Sequence, residues 1–259
     1  MRSMVCCDAH AHIGSKKEQK VREKKKIKTF LCGTNPSNAK MVEEACSNSR
    51  NLFPTYGLHP WYANQYKVED MLPFIQKGCM LGEIGMDRIW CHVPLEQQKY
   101  VFEKQLALAK ELQMPVVLHT KGCEKEVLDS LNVFASDHQV TPMLVHWYSA
   151  MEYLQEYIAL GCFFTIGPDV YENEAVQEIV KRVPLNRLLV ETDGMEAVRW
   201  ASNLTEEEMD ERSLPTVLTN SMRYISDTQK VSLSIVGKQM KENFEFLASY
   251  CFLSRNALE

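Results

Sequence analysis

The sequence predicts a (β/α)₈ barrel of the TIM type, formed as one domain by residues 1–259. Eight short runs of apolar and β-branched residues alternate with longer helical patterns, and about 250 residues is the usual length of this fold. The chain has no Pro-, Gly- or Ser-rich stretch that would divide it. An open dinucleotide-binding sheet is the alternative, but no G-x-G-x-x-G follows the first apolar run.

The elements follow in order along the chain. The strands are expected at 4–8, 28–32, 52–57, 80–83, 115–118, 142–145, 162–166 and 187–191. The helices are expected at 38–47, 68–76, 94–113, 124–135, 150–160 and 172–182. The helix over 94–113 is the clearest, because Pro94 suits a first turn and Val101 and Leu106 fall on one apolar face. After Asp193 the alternation stops, residues 197–230 are polar and acidic, and a helix over 231–250 is expected to cover the outside of the barrel.

The composition limits the class of protein. With 45% hydrophobic and 24% charged residues, the chain can bury a large core, which excludes a disordered or collagen-like protein. The net charge of −5 argues against a protein that coats nucleic acid non-specifically. No run approaches the roughly 18 apolar residues of a membrane span, and the amino terminus lacks the features of a signal peptide. We therefore expect no membrane association.

The cysteines indicate a reducing compartment. There are nine, an odd number, and they are scattered singly except for Cys6-Cys7. Cys32, Cys79 and Cys162 lie in apolar runs, where cysteine is typical of a small core residue. A cytoplasmic location follows as a prediction.

One segment is strongly basic. Residues 15–28 contain eight Lys or Arg residues and two Glu. The favoured interpretation is a solvated loop or short helix between strands 1 and 2. The second is a lip that attracts phosphate to a neighbouring site.

Ligand-type side chains stand at the ends of five predicted strands. They are His10, His12, Glu83, His119, His146 and Asp193. The carboxyl ends of barrel strands meet at one mouth, so these side chains should converge there. Four of the chain's seven histidines belong to the set.

This ligand set predicts a metal site. Mixed nitrogen and oxygen donors suit zinc, manganese, iron or nickel, and an oxygen-richer half can admit magnesium. Six ligands exceed the needs of one tetrahedral ion, so two divalent ions about 4 Å apart are expected. Strand 4 lies between the two histidine groups, which makes Glu83 the natural bridge.

The order of these residues resembles the amidohydrolase superfamily. The sequence words at Asp8–His12, Gly57–Pro60, Gly82–Asp87 and Glu191–Asp193 are similar to those of the TatD family of metal-dependent deoxyribonucleases. The resemblance runs from residue 5 to about residue 248 and includes Glu242-Asn243-Phe244 near the end. It implies a TIM-like barrel with two divalent cations and hydrolysis of phosphodiester bonds in DNA by a metal-activated water.

The resemblance also implies roles for single residues. His10 and His12 would bind one ion with Asp193, His119 and His146 would bind the other, and Glu83 would bridge them. His59 and Lys121 would contact the substrate phosphate. The alternative for His59 is a turn residue whose ring caps the strand end. From its position next to the first ion, we expect Asp193 to act also as the general base, while Glu191, two residues back, is expected to point away.

Three departures from the family pattern bear on the substrate. Lys121 stands where the family usually has arginine, and Met195 stands where it has proline, so the loop after strand 8 should take another path. The segment between strands 1 and 2 is short and basic, which predicts a first helix that is reduced or absent. The aromatic residues beside the site are Trp61, Tyr62, Trp147 and Tyr148. Packing at the barrel rim is their favoured interpretation, and stacking on bases, by Trp61 and Trp147 above all, is the alternative.

The expected function is therefore a cytoplasmic two-metal hydrolase that acts on DNA or another phosphodiester, with no stable protein partner implied. An amidohydrolase-type esterase or amidase with the same metals is the alternative. A non-enzymatic binding protein is a further alternative, but it predicts a missing ligand, and every ligand position is filled.

Overall fold

The predicted barrel is confirmed. The computed structural model describes residues 7–135, 141–205, 207–209 and 213–251. Its eight parallel strands follow one another around the sheet in chain order, from β1 to β8. The two ends of the sheet meet at a parallel bridge between Ala11 and Asp193, where the Asp193 amide donates to the His10 carbonyl at 3.1 Å.

The strands lie close to their predicted positions except for the first. They are β1 Cys7–His12, β2 Lys28–Gly33, β3 Leu52–Tyr56, β4 Met80–Gly85, β5 Val116–His119, β6 Met143–Val145, β7 Phe163–Ile166 and β8 Leu188–Val190. The prediction of 4–8 for strand 1 is wrong at its end, and residues 4–6 lie outside the described residues. Pairing with β2 extends to His12, opposite Cys32, so both histidines of the H-x-H pair belong to the strand.

Ten α-helices surround the described part of the sheet. They are α1 Lys16–Lys25, α2 Pro36–Ser47, α3 Val68–Ile75, α4 Leu95–Glu111, α5 Glu124–Ala135, α6 Leu154–Ala159, α7 Glu174–Arg182, α8 Met195–Ser202, α9 Ser213–Gln229 and α10 Leu233–Ala248. None of the helices in the described ranges has the length and apolarity that a membrane span requires.

A first helix of 10 residues is present. It agrees with the expectation of a short helix between strands 1 and 2 and contradicts the prediction that the first helix is reduced or absent. The Ser15 hydroxyl caps its amino terminus by accepting the Glu18 amide at 3.2 Å. Lys26 ends it in the left-handed conformation. Val21 and Arg22 are buried against the barrel. The amino-terminal cap and these two buried side chains therefore stabilise the helix, although the many charges of the segment give no helical pattern.

The chain turns at once after strand 8. Gly194, at φ 95°, leads directly into α8, which begins at Met195. The polar region at 197–230 also contains α9, whose Leu214, Leu218 and Met222 are buried. As predicted, the strand–helix alternation stops after β8, and the described part of this region is mostly helical.

The last helix closes the bottom of the barrel, whereas the sequence placed it on the outside. Phe244 of α10 stacks on Phe30 with ring centroids 4.1 Å apart. Phe244 and Leu247 pack with residues at the starts of several strands, including Cys7 and Phe163. The helix therefore covers the amino-terminal end, opposite the predicted mouth.

Cys79 is buried as predicted, but it forms a disulfide with Cys251, a few residues beyond Leu247. The sequence treated Cys79 as a reduced core residue, and the pairing is invisible locally because the two positions are 172 residues apart. The bond ties the start of β4 to the chain end. The cytoplasmic location stays a prediction.

Candidate metal centre

The six predicted ligand residues converge at the carboxyl end of the barrel. Two strands carry an irregularity there. The pairing register shifts in β1 between Asp8 and Ala11, and in β4 between Leu81 and Ile84. Such shifts re-aim side chains near functional sites. His10 lies within the irregular part of β1, and Glu83 lies within that of β4.

The first group consists of four donor atoms. His10 Nε2 and His12 Nε2 lie 3.5 and 3.3 Å from Glu83 Oε2, and each lies 3.4 Å from Asp193 Oδ1. Donor atoms around a tetrahedral zinc ion with bonds of about 2.0–2.1 Å are roughly 3.3–3.4 Å apart. The spacing of these atoms therefore fits one small cation.

The second group gathers around the other oxygen of Glu83. His119 Nδ1 and His146 Nε2 each lie 2.6 Å from Glu83 Oε1 and 3.3 Å from one another. One carboxylate thus turns an oxygen toward each group of histidines.

The donor atoms fit a cation because several are buried without a partner. His10 Nε2, Glu83 Oε2 and Asp193 Oδ1 have no hydrogen-bond partner in the structure. A buried polar atom left unpaired costs free energy, and coordination to an ion would remove that cost. Burial alone would raise the pKa of Glu83, but His146, His59 and His119 outweigh it and hold that pKa well below its usual range. Glu83 is therefore ionised, as a ligand must be.

Cys32 lies beside the first group but is a poor candidate ligand. Its sulfur accepts the Glu83 amide at 3.2 Å. Burial raises the pKa of the Cys32 thiol well above its ordinary value. The thiolate that a metal needs is thus disfavoured.

A buried charge network supports Asp193 from below. Asp8 Oδ1 accepts the Thr192 amide at 2.9 Å, and Asp8 Oδ2 accepts the Thr192 hydroxyl at 2.6 Å. Arg22 Nη1 donates to Asp8 Oδ2 at 2.6 Å, and Arg22 also pairs with Glu18. The network fixes the residue before Asp193, whose φ of 57° lies in the left-handed region. Arg22, although it belongs to the basic segment 15–28, is therefore buried in the fold.

The sequence missed the role of Asp87, which is buried just beyond β4. Its Oδ2 faces His119 Nε2 at 3.1 Å and accepts the Trp61 indole N–H at 2.7 Å. Its Oδ1 accepts the backbone amides of Ile89 and Trp90, each at 2.8 Å. A carboxylate behind a ligand histidine fixes the ring and its tautomer. Asp87 belongs to the Gly82–Asp87 motif, but its side-chain partners are distant in sequence, so the motif alone carries no signal for its role.

Glu191 was expected to point away from the site, and the structure shows otherwise. It is fully buried, with Oε1 3.7 Å from His146 Nδ1. Burial would lower the pKa of His146, but Glu83 and Glu191 together raise it well above its ordinary value. Residues two apart on an extended strand face the same side, so the alternation itself places Glu191 on the face of Asp193, and the expectation was wrong.

His59 is buried directly beside the second group. Its Nδ1 accepts the Trp61 amide at 3.2 Å, which leaves the ring proton on Nε2, 3.5 Å from Glu83 Oε1. Burial lowers the pKa of His59 to about 4, so the ring is neutral at pH 7.

Lys121 lies at the mouth, as predicted. Its ammonium donates to the Trp147 carbonyl at 3.0 Å and to the Ser149 hydroxyl at 2.8 Å. Burial lowers the pKa of Lys121 from its ordinary value. The cation is therefore held in place beside the cavity.

The mouth opens into a cavity of about 1380 Å³. His12, Glu83, His119, His146 and Asp193 line its floor, and His59 and Lys121 line its wall. The cavity is large enough for several nucleotide-sized groups.

Comparisons with known proteins agree with this geometry. Residues 7–249 match the family model described as TatD related DNase. The chain is 25% identical to a protein of Bacillus subtilis named uncharacterized metal-dependent hydrolase YabD, over 72% of this chain and 78% of that protein. It is 26% identical to the 3'-5' ssDNA/RNA exonuclease TatD of Pectobacterium atrosepticum, over 91% and 96% of the two chains.

A solved structure shows the same fold. The TatD homologue YjjV of Escherichia coli superposes with a TM-score of 0.76 at 19% identity, over 95% of this chain and 98% of that one. The predicted family, and a TatD-type hydrolase in preference to an amidohydrolase-type esterase, are confirmed. The chain belongs to the TatD related DNase family of metal-dependent hydrolases.

Proposed function

We propose that this chain hydrolyses phosphodiester bonds in DNA or RNA with two divalent ions. The carrying observation is Glu83, whose two oxygens face two separate groups of histidine nitrogens. His10, His12 and Asp193 would hold one ion, His119 and His146 would hold the other, and Glu83 would bridge them. When bound, the ions polarise a phosphate oxygen and make water a better nucleophile.

Asp193 is the group we assign to proton transfer. Its Oδ1 faces the first histidine pair, which leaves Oδ2 to accept the proton of the attacking water. As the water oxygen bonds to phosphorus, the bond to the leaving oxygen breaks, and Asp193 returns its proton to that oxygen. Asp193 suits this role because its side chain is 16% exposed, whereas Glu83 is closed to solvent.

His59 and Lys121 complete the site as phosphate contacts. A neutral His59 can donate from Nε2 to a phosphate oxygen without repelling the metal ions. Lys121 supplies one positive charge whose position is fixed by Ser149 and the Trp147 carbonyl. A lysine gives a point charge, so it binds phosphate without the two-pronged geometry of arginine.

The names of the relatives support this substrate class. One TatD relative is named as a 3'-5' exonuclease of single-stranded DNA and RNA. The glutamate at strand 4 also supports a nuclease, since the alternative, an amide or ester hydrolase, often has a carboxylated lysine in that position.

The test is turnover of labelled single- and double-stranded oligonucleotides by metal-free protein to which Mg²⁺, Mn²⁺ or Zn²⁺ is added. A panel of carboxylic esters and amides runs beside them. Metal-dependent cleavage of an oligonucleotide is the expected result. Hydrolysis of an ester with no oligonucleotide cleavage under any metal would overturn the proposal.

A further inference from the structure

All four tryptophans of the chain line one cavity, the one above the metal centre. Trp61 follows β3, Trp90 follows β4, Trp147 follows β6, and Trp200 lies on α8. Their exposed fractions are 43%, 52%, 7% and 70%, respectively. Large exposed aromatic residues concentrated in one cavity mark a binding surface, since singly scattered ones need no explanation.

Two of the indoles are held rigidly by carboxylates. Trp61 donates its ring N–H to Asp87 Oδ2 at 2.7 Å, and Trp147 donates to Asp169 Oδ1 at 2.8 Å. Asp87 also contacts His119, so the plane of Trp61 is fixed relative to the second group of ligands. A rigid aromatic surface loses little conformational entropy when a ligand stacks on it.

The other two indoles extend the surface, Trp90 beside Lys121 and Trp200 beside Trp147. The Lys121 ammonium lies 5.5 Å from the ring centroids of both Trp90 and Trp147. The Trp200 ring meets Trp147 at 6.1 Å in an edge-to-face arrangement. The Lys121 ammonium therefore lies between the rings of Trp90 and Trp147.

The charge of the lining does not favour a polyanion. Among the described lining residues, the cations are Lys17, Lys121 and Arg199. Five carboxylates line the same cavity outside the metal centre: Glu18, Glu124, Glu152, Asp169 and Glu196. Phosphates beyond the metal centre thus meet more negative than positive groups.

We propose that the mouth binds single-stranded nucleic acid through stacking of unpaired bases on its exposed tryptophans, Trp61, Trp90 and Trp200, while the lysine and arginine side chains other than Lys121 contribute little to affinity. The inference rests on the proposed nuclease function and specifies how the substrate is held. Aromatic stacking tolerates any base sequence, because every base has a π-face. A base inside a duplex is covered on both faces by its stacked neighbours, so the strands must separate before successive bases can bind.

The first test measures binding to the metal-loaded full-length protein. Short oligothymidylates with phosphorothioate linkages, which resist hydrolysis, are titrated while tryptophan fluorescence is followed. An abasic oligomer of the same length and charge is the comparison. We expect the abasic oligomer to bind more weakly by on the order of 10- to 100-fold for each base that stacks. Equal affinity for the two oligomers would overturn the inference.

The second test is salt dependence. Each phosphate neutralised by a lysine or arginine contributes a slope of about −0.7 to log K against log salt for a single strand. With so few cations in the lining, the slope should be no steeper than about −2. A slope typical of many phosphate contacts would contradict the proposal.

Variants locate the surface. Trp200→Ala should weaken binding of oligothymidylate by about 10-fold and bring it closer to the abasic oligomer. Tyr100→Ala is the matched control, because Tyr100 is 60% exposed on α4 and does not line the cavity. It should bind like the wild type. Equal losses in both variants would point to a general change in the fold.

Failure here differs from failure of the proposed function. The wild type could hydrolyse a base-free phosphodiester and yet bind abasic and normal oligomers with equal affinity. In that case the proposed hydrolysis is supported and base stacking is wrong. If no phosphodiester is hydrolysed, the proposed function fails, and the binding comparison still reports whether bases stack.

Discussion

The two ends of the barrel are built from the same strands, but they differ in how completely their buried polar atoms are paired. At the amino-terminal end, Phe30 and Phe244 stack in a closed apolar layer, and Lys28 pairs with Glu245 at 3.1 Å. At the carboxyl end, donor atoms of His10 and Glu83 are buried without partners. Apolar packing stabilises the first end, whereas unpaired polar atoms destabilise the second in the absence of a cation. Substitutions at the two ends should therefore affect different properties.

The largest effect is expected for Glu83→Gln. A neutral amide is a poor bridge between two cations, so the variant should lose at least one ion and nearly all hydrolysis. Elemental analysis of protein loaded with metal, next to the wild type, measures this. Retention of both ions would remove Glu83 from the bridging role.

Asp193→Asn sharpens the comparison at the same end. The amide cannot take up a proton, so kcat should fall by roughly 10²- to 10⁴-fold while KM changes little. Metal content and the far-ultraviolet circular dichroism spectrum are the controls. A metal-loaded variant with nearly normal kcat would show that Asp193 is not the base.

Phe244→Ala tests the opposite end. Removing a fully buried aromatic ring should lower the free energy of unfolding by about 3–5 kcal/mol. Urea denaturation measures the loss, and kcat of the remaining folded enzyme should not change. A large drop in kcat with an unchanged free energy of unfolding would show that the amino-terminal end also determines catalysis.

Replacement of His59 or Lys121 by Ala should lower kcat/KM by about 10- to 100-fold, because each removes one polar contact to phosphate. Neither residue is among the proposed ligands, so metal content should stay at the wild-type level. If the double variant cleaves oligonucleotides normally, both residues are structural.

The smallest effect is expected on α1. Reversal of Lys16, Lys20 and Lys25 to Glu should change kcat/KM for oligonucleotides by no more than about threefold, since these exposed residues lie outside the cavity. The salt dependence of KM is the measurement. A marked flattening of that dependence would favour the phosphate-attracting lip.

How far the sequence determined the structure depends on the range of the interactions. The period of two along a strand placed His10 and His12 on one face, and the common mouth of a barrel brought His119 and His146 to them. Asp87 was missed because its partners lie on other elements, and side-chain contacts across a sheet leave no local pattern. Glu191 was missed although the same period of two places it on the face of Asp193.

The segments that depart from the family were predicted least well. At α1 the sequence left a loop and a short helix open, since the charges dominate any pattern and the helix depends on Ser15 and on buried contacts. The stacking surface was only half found, because Trp200 reaches the cavity through α8, which has no counterpart in the strand–helix alternation.

The buried Arg22 has a consequence for anyone who alters the surface charge of this protein. Its neighbours in the run are solvated lysines, whereas Arg22 is 1% exposed and pairs with Asp8 and Glu18. Removing one partner of a buried ion pair costs about 3–5 kcal/mol, because the other charge is left uncompensated. A library that neutralises residues 16–28 uniformly to improve crystallisation would therefore lose folded protein at one position of the eight, and Arg22 should be held constant.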